Sequence, residues 1–301
     1  MKFYKIVILV FLFIYPINAN DSIVDVIEDD ILSITSKSLK SILENIGRGD
    51  TEVTIEGSDQ KKPSGSIMIV RPIIEFDKSI IFNQTQVNNY FVKGKKRFAL
   101  NLGLGFRNMS DDKTFFTGYN IFVDIDSKKN QRASLGLEFK STPFEISGNY
   151  YKHISGVKKV GAFNERVLDG YDLNIVGQVP FLTWLDLTYS NYKWEKEKNI
   201  KSSKGNKIGL EIFFTDNIDL ALGTDQNNID GDIWYANIVF KYPGNPQISM
   251  MKNFEEGKLI SDVAFQESDV SNELLSKVRR TNRIVIESEG SGVVISRAIN
   301  D

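Results

Sequence analysis

The chain has 301 residues, and its 37 Lys and Arg against 39 Asp and Glu give a formal net charge of −2. A nucleic-acid binder would normally carry a clustered basic surplus, so this class of protein is not favoured. The absence of cysteine excludes disulfides, thiolate metal sites and cysteine nucleophiles. With 41% hydrophobic and 25% charged residues, either a soluble domain with a sizeable core or one membrane barrel remains open.

The N-terminus has the pattern of an export signal. Two lysines precede an apolar run of 10 residues, Ile6–Tyr15, and Ala19 offers a cleavage point. The run is too short to cross a bilayer as a helix, which takes about 20 apolar residues. We expect a signal peptide over residues 1–19. No later stretch reaches the length of a transmembrane helix, so membrane residence would require a β-barrel.

The next segment has apolar residues at a spacing closer to helical than to alternating, from Ile23 to Ile46. Gly47 and Gly49 then end the pattern. We expect a short amphipathic helix within residues 20–50, in one piece or broken near Ser33–Ser38, on the periplasmic side. A loosely ordered leader is the alternative.

Twelve candidate β-strands follow. They cover Glu52–Ser58, Ser66–Glu75, Lys78–Val92, Arg97–Arg107, Phe115–Asp126, Arg132–Ser141, Phe144–His153, Asp169–Val179, Thr183–Lys193, Lys207–Phe214, Ile218–Asp225 and Ile233–Tyr242. An even number of strands is what a closed bacterial barrel requires.

Strict alternation is clearest between Arg97 and Ile125. One face of the two strands is bulky and apolar, with Phe98, Leu100, Leu102, Leu104, Phe106, Tyr119, Ile121, Val123 and Ile125. The opposite face is mostly small or polar, whereas a soluble sandwich would expose bulky hydrophilic residues there. The pattern is typical of a barrel with lipid outside and a crowded interior. Leu102→Arg should therefore cost much more stability than Asn101→Asp.

The predicted connections alternate between short and long. One set is Phe76–Asp77, Asn108–Thr114, Thr142–Pro143, Pro180–Leu182 and Thr215–Asn217. The other set contains the two longest loops and comprises Asp59–Gly65, Lys93–Lys96, Ser127–Gln131, Ile154–Leu168, Trp194–Asn206 and Gln226–Asp232. Outer-membrane barrels have short periplasmic turns and longer outer loops, which matches this alternation.

After Tyr242 the sequence changes character at Pro243–Pro246. Glu273–Arg280 is predicted to be helical. Thr281–Glu287 contains an alternating stretch that is predicted to pair with Val293–Ser296 across Ser288–Gly292.

Polar residues on the predicted inner faces are the candidate functional residues. The lumen-lining candidates are Asn101, Arg107, Asp124, Glu138, Lys140, Asp172, Asp186 and Glu211. Paired carboxylates can serve acid–base chemistry, but basic residues on the same face favour an internal salt-bridged network. The lone His153 has no second histidine for a metal site, and Gly103 and Gly105 would make room for a lumenal segment. We expect no catalytic, cofactor-binding or metal site, no cofactor and no enzyme activity.

Several stretches resemble the β-domain of inverse autotransporters, the intimin and invasin group. They are Ala99–Arg107, Gly118–Asp126, Leu135–Phe139, Gly148–Tyr150 with Ser155–Gly156, Asp169–Leu173 and the basic stretch Lys277–Glu287. The similarity covers about Lys40–Glu287. It implies a twelve-stranded barrel with both ends in the periplasm. Its C-terminal linker, with Lys277, Arg279, Arg280, Asn282 and Arg283, would thread the lumen toward a passenger outside.

The resemblance has one departure, because only Ser288–Asp301 follows the matching linker and this is too little to fold alone. The expected organisation is a signal peptide over 1–19, a periplasmic helical segment over 20–50, a transmembrane barrel over 51–242 and a lumenal linker with a short exposed tail over 243–301. The fold class is all-β.

The resemblance implies a translocator and anchor in the outer membrane of a Gram-negative bacterium, serving protein secretion with little or no passenger. Cell adhesion through a passenger, as in the adhesins of that group, does not carry over to this chain. A porin-like channel whose C-terminal segment stays periplasmic is the alternative. The expected partners are outer-membrane lipid, the barrel-assembly and periplasmic chaperone machinery, and a host-cell or bacterial surface ligand, with no nucleic acid.

Overall fold

The computed structural model describes residues 48–196, 202–245, 248–265, 269–289 and 294–296. The predicted signal peptide lies outside these residues. The predicted helix within residues 20–50 also lies outside them, apart from residues 48–50. Within the described residues, no helix is both long and apolar enough to cross a membrane.

Twelve antiparallel strands form one closed barrel. Its strands are β1 (Thr51–Ser58), β2 (Ser64–Glu75), β3 (Ser79–Val92), β4 (Lys95–Met109), β5 (Phe115–Asp126), β6 (Gln131–Ser141), β7 (Phe144–His153), β10 (Gly170–Val179), β11 (Leu182–Trp194), β12 (Ser203–Phe213), β13 (Ile218–Asn227) and β14 (Gly231–Tyr242). Neighbours along the chain pair in order, and β1 pairs with β14 to close the barrel. All twelve predicted strands are confirmed. The largest shift of a strand end is at β12, which begins at Ser203 rather than Lys207.

The predicted faces of β4 and β5 are also confirmed. Leu102 and Ile121 point outward and are 48% and 55% exposed, whereas Asn101 and Asp124 are completely buried on the inner face. An apolar outer surface of this kind needs lipid around it, because water would penalise so large an apolar area.

Two glycines of β4 leave space for aromatic rings inside the barrel. A Cβ at Gly103 would lie 2.2 Å from the Phe122 ring, and a Cβ at Gly105 would lie 2.2 Å from the Phe82 ring. Any larger residue would clash, so glycine is required for this close approach. The space that was predicted to accommodate a lumenal segment is taken directly by two phenylalanine rings of neighbouring strands.

The two longest loops, between β7 and β10 and between β11 and β12, lie at the same end of the barrel, as predicted. The other connections are short at both ends, since Lys93–Gly94 alone joins β3 to β4 at that end, whereas Ser110–Thr114 joins β4 to β5 at the opposite end. One end of the barrel therefore has only short turns, and the other has the two longest loops. We call these the short-turn end and the long-loop end. The loop predicted at Ile154–Leu168 is not irregular throughout, because it contains a hairpin made of β8 (Lys158–Val160) and β9 (Phe163–Val167).

Residues 248–265 pack against turns at the short-turn end. They contain α1 (Met250–Glu255), whose Met251 N–H donates to the Phe214 carbonyl at 3.1 Å. Trp184 Nε1 donates to the Leu259 carbonyl at 2.9 Å. This part of the predicted linker therefore lies at the barrel rim and does not thread the lumen.

A 3-10 helix at Val270–Leu275 precedes the lumen, so the predicted helix at Glu273–Arg280 is wrong in its extent. The backbone becomes extended at Ser276, with φ −64° and ψ 159°. The physical reason is Arg107 on β4, whose Nη1 donates to the carbonyls of Leu274 at 2.9 Å and Ser276 at 2.7 Å. These bonds satisfy carbonyls that a continuing helix would have used.

From Ser276 the chain contacts the inner wall as far as Arg283 and then reaches the long-loop end, and we call residues 276–289 the lumenal segment. It ends in β15 (Ile286–Glu289), which pairs with β16 (Val294–Ser296) in agreement with the predicted pairing. The other edge of β15 pairs with β9, giving a four-stranded sheet of order β16-β15-β9-β8 at the long-loop end. The sequence did not predict this second pairing.

Candidate functional site

The inner wall of the barrel places most of the predicted lumen-lining residues together because alternate residues of each strand point inward. Asn101, Arg107, Asp124, Glu138 and Asp172 are buried, and Lys140, Asp186 and Glu211 are half-buried. In the lumenal segment, Arg280, Asn282 and Arg283 are buried, and Lys277 and Arg279 are half-buried. The site is the contact between this wall and this segment.

Arg280 has the most deeply buried side chain among the basic residues of the segment. Its Nη2 and Nη1 lie 2.8 and 3.1 Å from the two carboxylate oxygens of Asp124, and Arg132 Nε lies 2.6 Å from the same carboxylate. The Arg280 guanidinium also lies 4.2 Å from the centroid of the Phe122 ring, a cation–π distance. Two arginines thus share one buried carboxylate, and the aromatic face adds to the attraction.

Arg279 binds a different side of the wall. Its Nη1 and Nη2 donate to the two oxygens of Glu211 at 2.6 and 2.8 Å, and its Nε donates to Glu145 at 3.2 Å. A fork of two parallel bonds to one carboxylate is the strongest geometry that arginine offers. Asp186 lies directly opposite Glu211 on the neighbouring strand.

The remaining basic residues of the segment pair with β1. Lys277 Nζ lies 3.0 Å from Glu52, and Arg283 bonds Glu56 and, at 2.8 Å, the Ser64 hydroxyl. Glu52, Glu56 and Glu145 were missing from the predicted lumen-lining residues. Their strands do alternate, since Glu52 and Glu56 flank Thr54 on the face opposite Val53 and Ile55, so this signal could have revealed them.

The wall also binds the main chain of the segment. Asn101 Nδ2 donates to the Asn282 carbonyl at 2.7 Å, and the Val278 N–H donates to Gln84 Oε1 at 2.7 Å. Thr281 donates its N–H to the Tyr151 hydroxyl at 2.7 Å and its hydroxyl to Asp172 at 2.8 Å. Because an extended segment leaves its backbone groups unpaired, these bonds let it lie buried in the lumen.

Glu138 and Lys140 have other partners. Glu138 receives two bonds from Arg107, at 2.8 and 2.9 Å, across Gly118 of the intervening strand. Lys140 Nζ lies 2.9 Å from Glu273 of the 3-10 helix, and its ammonium group lowers the pKa of that carboxyl. Glu138 and Lys140 therefore do not pair with the basic residues of the lumenal segment. Their ion pairs lie where the 3-10 helix leads into that segment.

Titratable groups outside the lumen do not form a reactive cluster among the described residues, where no group of three metal-ligating side chains occurs. His153 Nδ1 lies 2.6 Å from Asp169 near the long-loop end. At the short-turn end, burial and the neighbouring Glu52 carboxylate raise the pKa of Asp50 to about 7. The chemistry of the site is electrostatic matching between a strand wall and an extended basic segment.

One solved structure among those compared supports the barrel fold, and two others are similar at lower scores. A membrane-protein structure reported as "Unveiling the Mechanism Behind the in-meso Crystallization of Membrane Proteins" is similar at a TM-score of 0.64 and 18% identity, over 80% of this chain and 99% of that one. The KdgM porin gives a TM-score of 0.45 at 11% identity, over 64% of this chain and 98% of its own. The translocator domain of the autotransporter NalP from Neisseria meningitidis gives a TM-score of 0.35 at 9% identity, over 71% of this chain and 95% of its own.

The family comparison is more specific than these likenesses. A search of curated proteins found no match. The family model described as the β-domain of inverse autotransporters matches residues 16–281, which is most of the chain. The protein therefore belongs to the inverse autotransporter β-domain family and is an outer-membrane β-barrel of the translocator type.

Proposed function

We propose that the barrel anchors the protein in the outer membrane while the lumenal segment carries the chain from the periplasm to the cell surface. One observation carries this proposal: the four basic side chains of the segment all face carboxylates of the wall, with Lys277 on Glu52, Arg279 on Glu211, Arg280 on Asp124 and Arg283 on Glu56. Unpaired charges in a narrow pore would be costly, so this matching favours a segment suited to that position.

The length of the segment is sufficient for it to cross the outer membrane. Residues 276 to 289 number 14, and an extended chain covers about 3.3 Å per residue, so the segment can reach about 46 Å. A membrane with its headgroups is about 40–45 Å thick. The segment is therefore long enough to cross from the short-turn end to the long-loop end.

In this proposal the short-turn end faces the periplasm, residues 1–19 direct export and are cleaved, and residues 20–50 form a periplasmic segment. Periplasmic chaperones and the barrel-assembly machinery would deliver the chain, and lipid would surround its apolar outer face. The part presented outside would bind a host-cell or bacterial surface ligand.

Tag accessibility tests the direction. A tag placed after Asp301 should bind antibody on intact cells, whereas a tag placed after Asn20 should be internal or lost with the signal. Opening the outer membrane provides the control, since it should not increase the signal of the C-terminal tag. A C-terminal tag that becomes visible only after the membrane is opened would contradict the proposal while leaving the barrel fold intact.

A porin-like channel is the second candidate, because a narrow polar cavity remains beside the segment and is lined by Asp172, Lys207 and Glu211 among others. In planar bilayers the full chain should show small or rare openings, since the lumenal segment fills the pore. A version ending after Tyr242 should open wider. Large steady conductance from the full chain would instead favour the porin.

A further inference from the structure

The β8–β9 hairpin is fixed to the barrel by contacts that do not involve the lumenal segment. Glu165 on β9 is buried, and Arg97 on β4 reaches it with its Nη1 2.7 Å from Oε2. Asn130 Nδ2 donates to the same oxygen at 3.2 Å, and Lys93 Nζ lies 3.3 Å from the centroid of the Phe163 ring. The wall and two neighbouring loops therefore set the position of the hairpin.

The second edge of β9 binds the end of the lumenal segment. β8 occupies one edge of β9, and β15 occupies the other, with Val167 opposite Ile286 and Arg166 opposite Glu287. Just beyond the ladder, the Leu168 N–H donates to the Val285 carbonyl at 3.0 Å. Without β15 this edge would be a row of unpaired backbone groups, which is a template for an added strand.

The side chains of the bound strand have apolar partners on both faces. Ile284 and Ile286 pack with Val167, while Val285 packs in a cluster with Leu168, Tyr151, Tyr192 and Trp194. The segment is thus basic as far as Arg283 and apolar from Ile284 to Ile286. Sliding it back by two residues, about 7 Å, would withdraw Arg283 from Glu56 and put Val285 in its place beside that carboxylate.

We propose that the β8–β9 hairpin is a receiving site for the emerging chain, and that it binds Ile284–Glu289 as an added strand and so prevents the chain from slipping back. The inference rests on the proposed function, because it assumes that the segment leaves through the long-loop end. The family match ends at residue 281, so the strand that β9 receives lies beyond the matched residues.

A cysteine pair tests the docking, since the chain has no cysteine of its own. Val167 and Ile286 form a non-hydrogen-bonded pair, whose Cβ atoms lie about 4.5–5.5 Å apart, close enough for a disulfide after a small adjustment. Val167→Cys with Ile286→Cys should form a disulfide in exported protein, seen on a non-reducing gel. The control pair, Val160→Cys with Ile286→Cys, should not, because β8 lies two strand spacings from β15, about 9.6 Å. Failure of the first pair, or equal cross-linking of both, would overturn the docking.

Two proline substitutions in the hairpin test whether it prevents the emerging chain from slipping back. Bonds alternate along an antiparallel ladder, so the Arg166 N–H faces β15, and Arg166→Pro removes it. Arg166→Ala keeps this N–H and controls for the side chain, while Lys159→Pro makes the same change where the N–H faces away from β9. The surface signal from a tag after Asp301 should fall about tenfold in Arg166→Pro, the effect of losing one or two net hydrogen bonds. Because the Arg166 side chain lies opposite Glu287 in the ladder, Arg166→Pro is compared with Arg166→Ala and should lie about tenfold below it, whereas Lys159→Pro should stay close to the unmodified chain.

The outcomes separate the two proposals. A tag that is hidden in every variant and in the unmodified chain contradicts the proposed function itself. A tag that is exposed in the unmodified chain and equally exposed in Arg166→Pro contradicts the receiving site alone. Gel migration with and without heating should show that all variants keep a folded barrel. The cysteine pair decides the docking even if Arg166→Pro does not fold.

Discussion

Replacing Asp124 by asparagine should destabilise the protein more than any other conservative change in the lumen. Asp124 is completely buried and accepts bonds from Arg280, from Arg132 at 2.6 Å and from Asn101 at 2.7 Å. Asparagine has nearly the same shape, so packing is preserved and only the charge is lost. Two guanidinium groups would then share the site without their carboxylate.

The expected size follows from these contacts. Breaking a buried ion pair by removing one partner typically costs about 3–5 kcal/mol, because the remaining charge stays buried. The Arg280 and Arg132 groups keep other partners, including the Ser134 hydroxyl at 3.1 Å and the Thr281 carbonyl. We therefore expect a loss of about 3 kcal/mol in the free energy of unfolding, near the lower limit of this range.

Reversible urea unfolding in lipid vesicles, followed by tryptophan fluorescence, measures this loss. Asp111→Asn is the matched control, since Asp111 pairs with Lys78 on the surface and is almost fully exposed, and it should show no measurable change. Adding Arg280→Gln to Asp124→Asn should recover part of the stability by removing one unmatched charge. If Asp124→Asn is as mild as Asp111→Asn, the cluster is effectively hydrated and does not hold the segment.

Two further changes test the wall and its edge. Leu102→Arg should cost about 2–4 kcal/mol in vesicles, whereas Asn108→Arg, near the end of the same outward face, should cost about 0–1 kcal/mol, and equal losses would contradict the lipid-facing assignment. Asp50→Asn should stabilise the fold at pH 8, because folding raises the pKa of Asp50 to about 7 and so penalises its charged form. This gain should shrink as the pH falls from 7 toward 4, and a gain independent of pH would contradict the raised pKa of Asp50.

The barrel could be predicted from the sequence because a strand exposed to lipid on one side has a period-two pattern that depends on no distant residue. This holds best in β4 and β5, where every outward position from Phe98 to Phe106 and from Tyr119 to Ile125 is apolar. The placement of the two longest loops at the same end of the barrel supplied a second, independent signal.

The hairpin and the helix boundary could not be predicted in this way. β8–β9 is short and charged, and its position depends on the contact of Glu165 with Arg97, 68 residues away in the chain. The 3-10 helix ends where Arg107 takes its carbonyls, although Ser276–Arg280 contains no strong helix breaker. Both features are set by tertiary contacts that override local propensity.

The role of Asn101 shows the same limit. The alternating pattern treats it as one small polar residue of an inner face, which makes Asn101→Asp a mild change. Its amide in fact donates to both Asp124 and the Asn282 carbonyl. A carboxylate there would face an acceptor on either side, so we now expect Asn101→Asp to be severe.

The 3-10 helix before the lumen bears on the timing of assembly. The N–H of its first residue, Val270, bonds the Lys113 carbonyl at 3.0 Å, and its last carbonyls are taken by Arg107. A helix of 6 residues is too short to persist by itself in water. It therefore becomes ordered only after β4 and the β4–β5 turn are in place. Formation of the β4–β5 hairpin, and not any intrinsic preference of the C-terminal chain, would then determine when this helix orders at the entrance to the lumen, and pulse-labelled amide exchange should show the helix protected after β4 and β5.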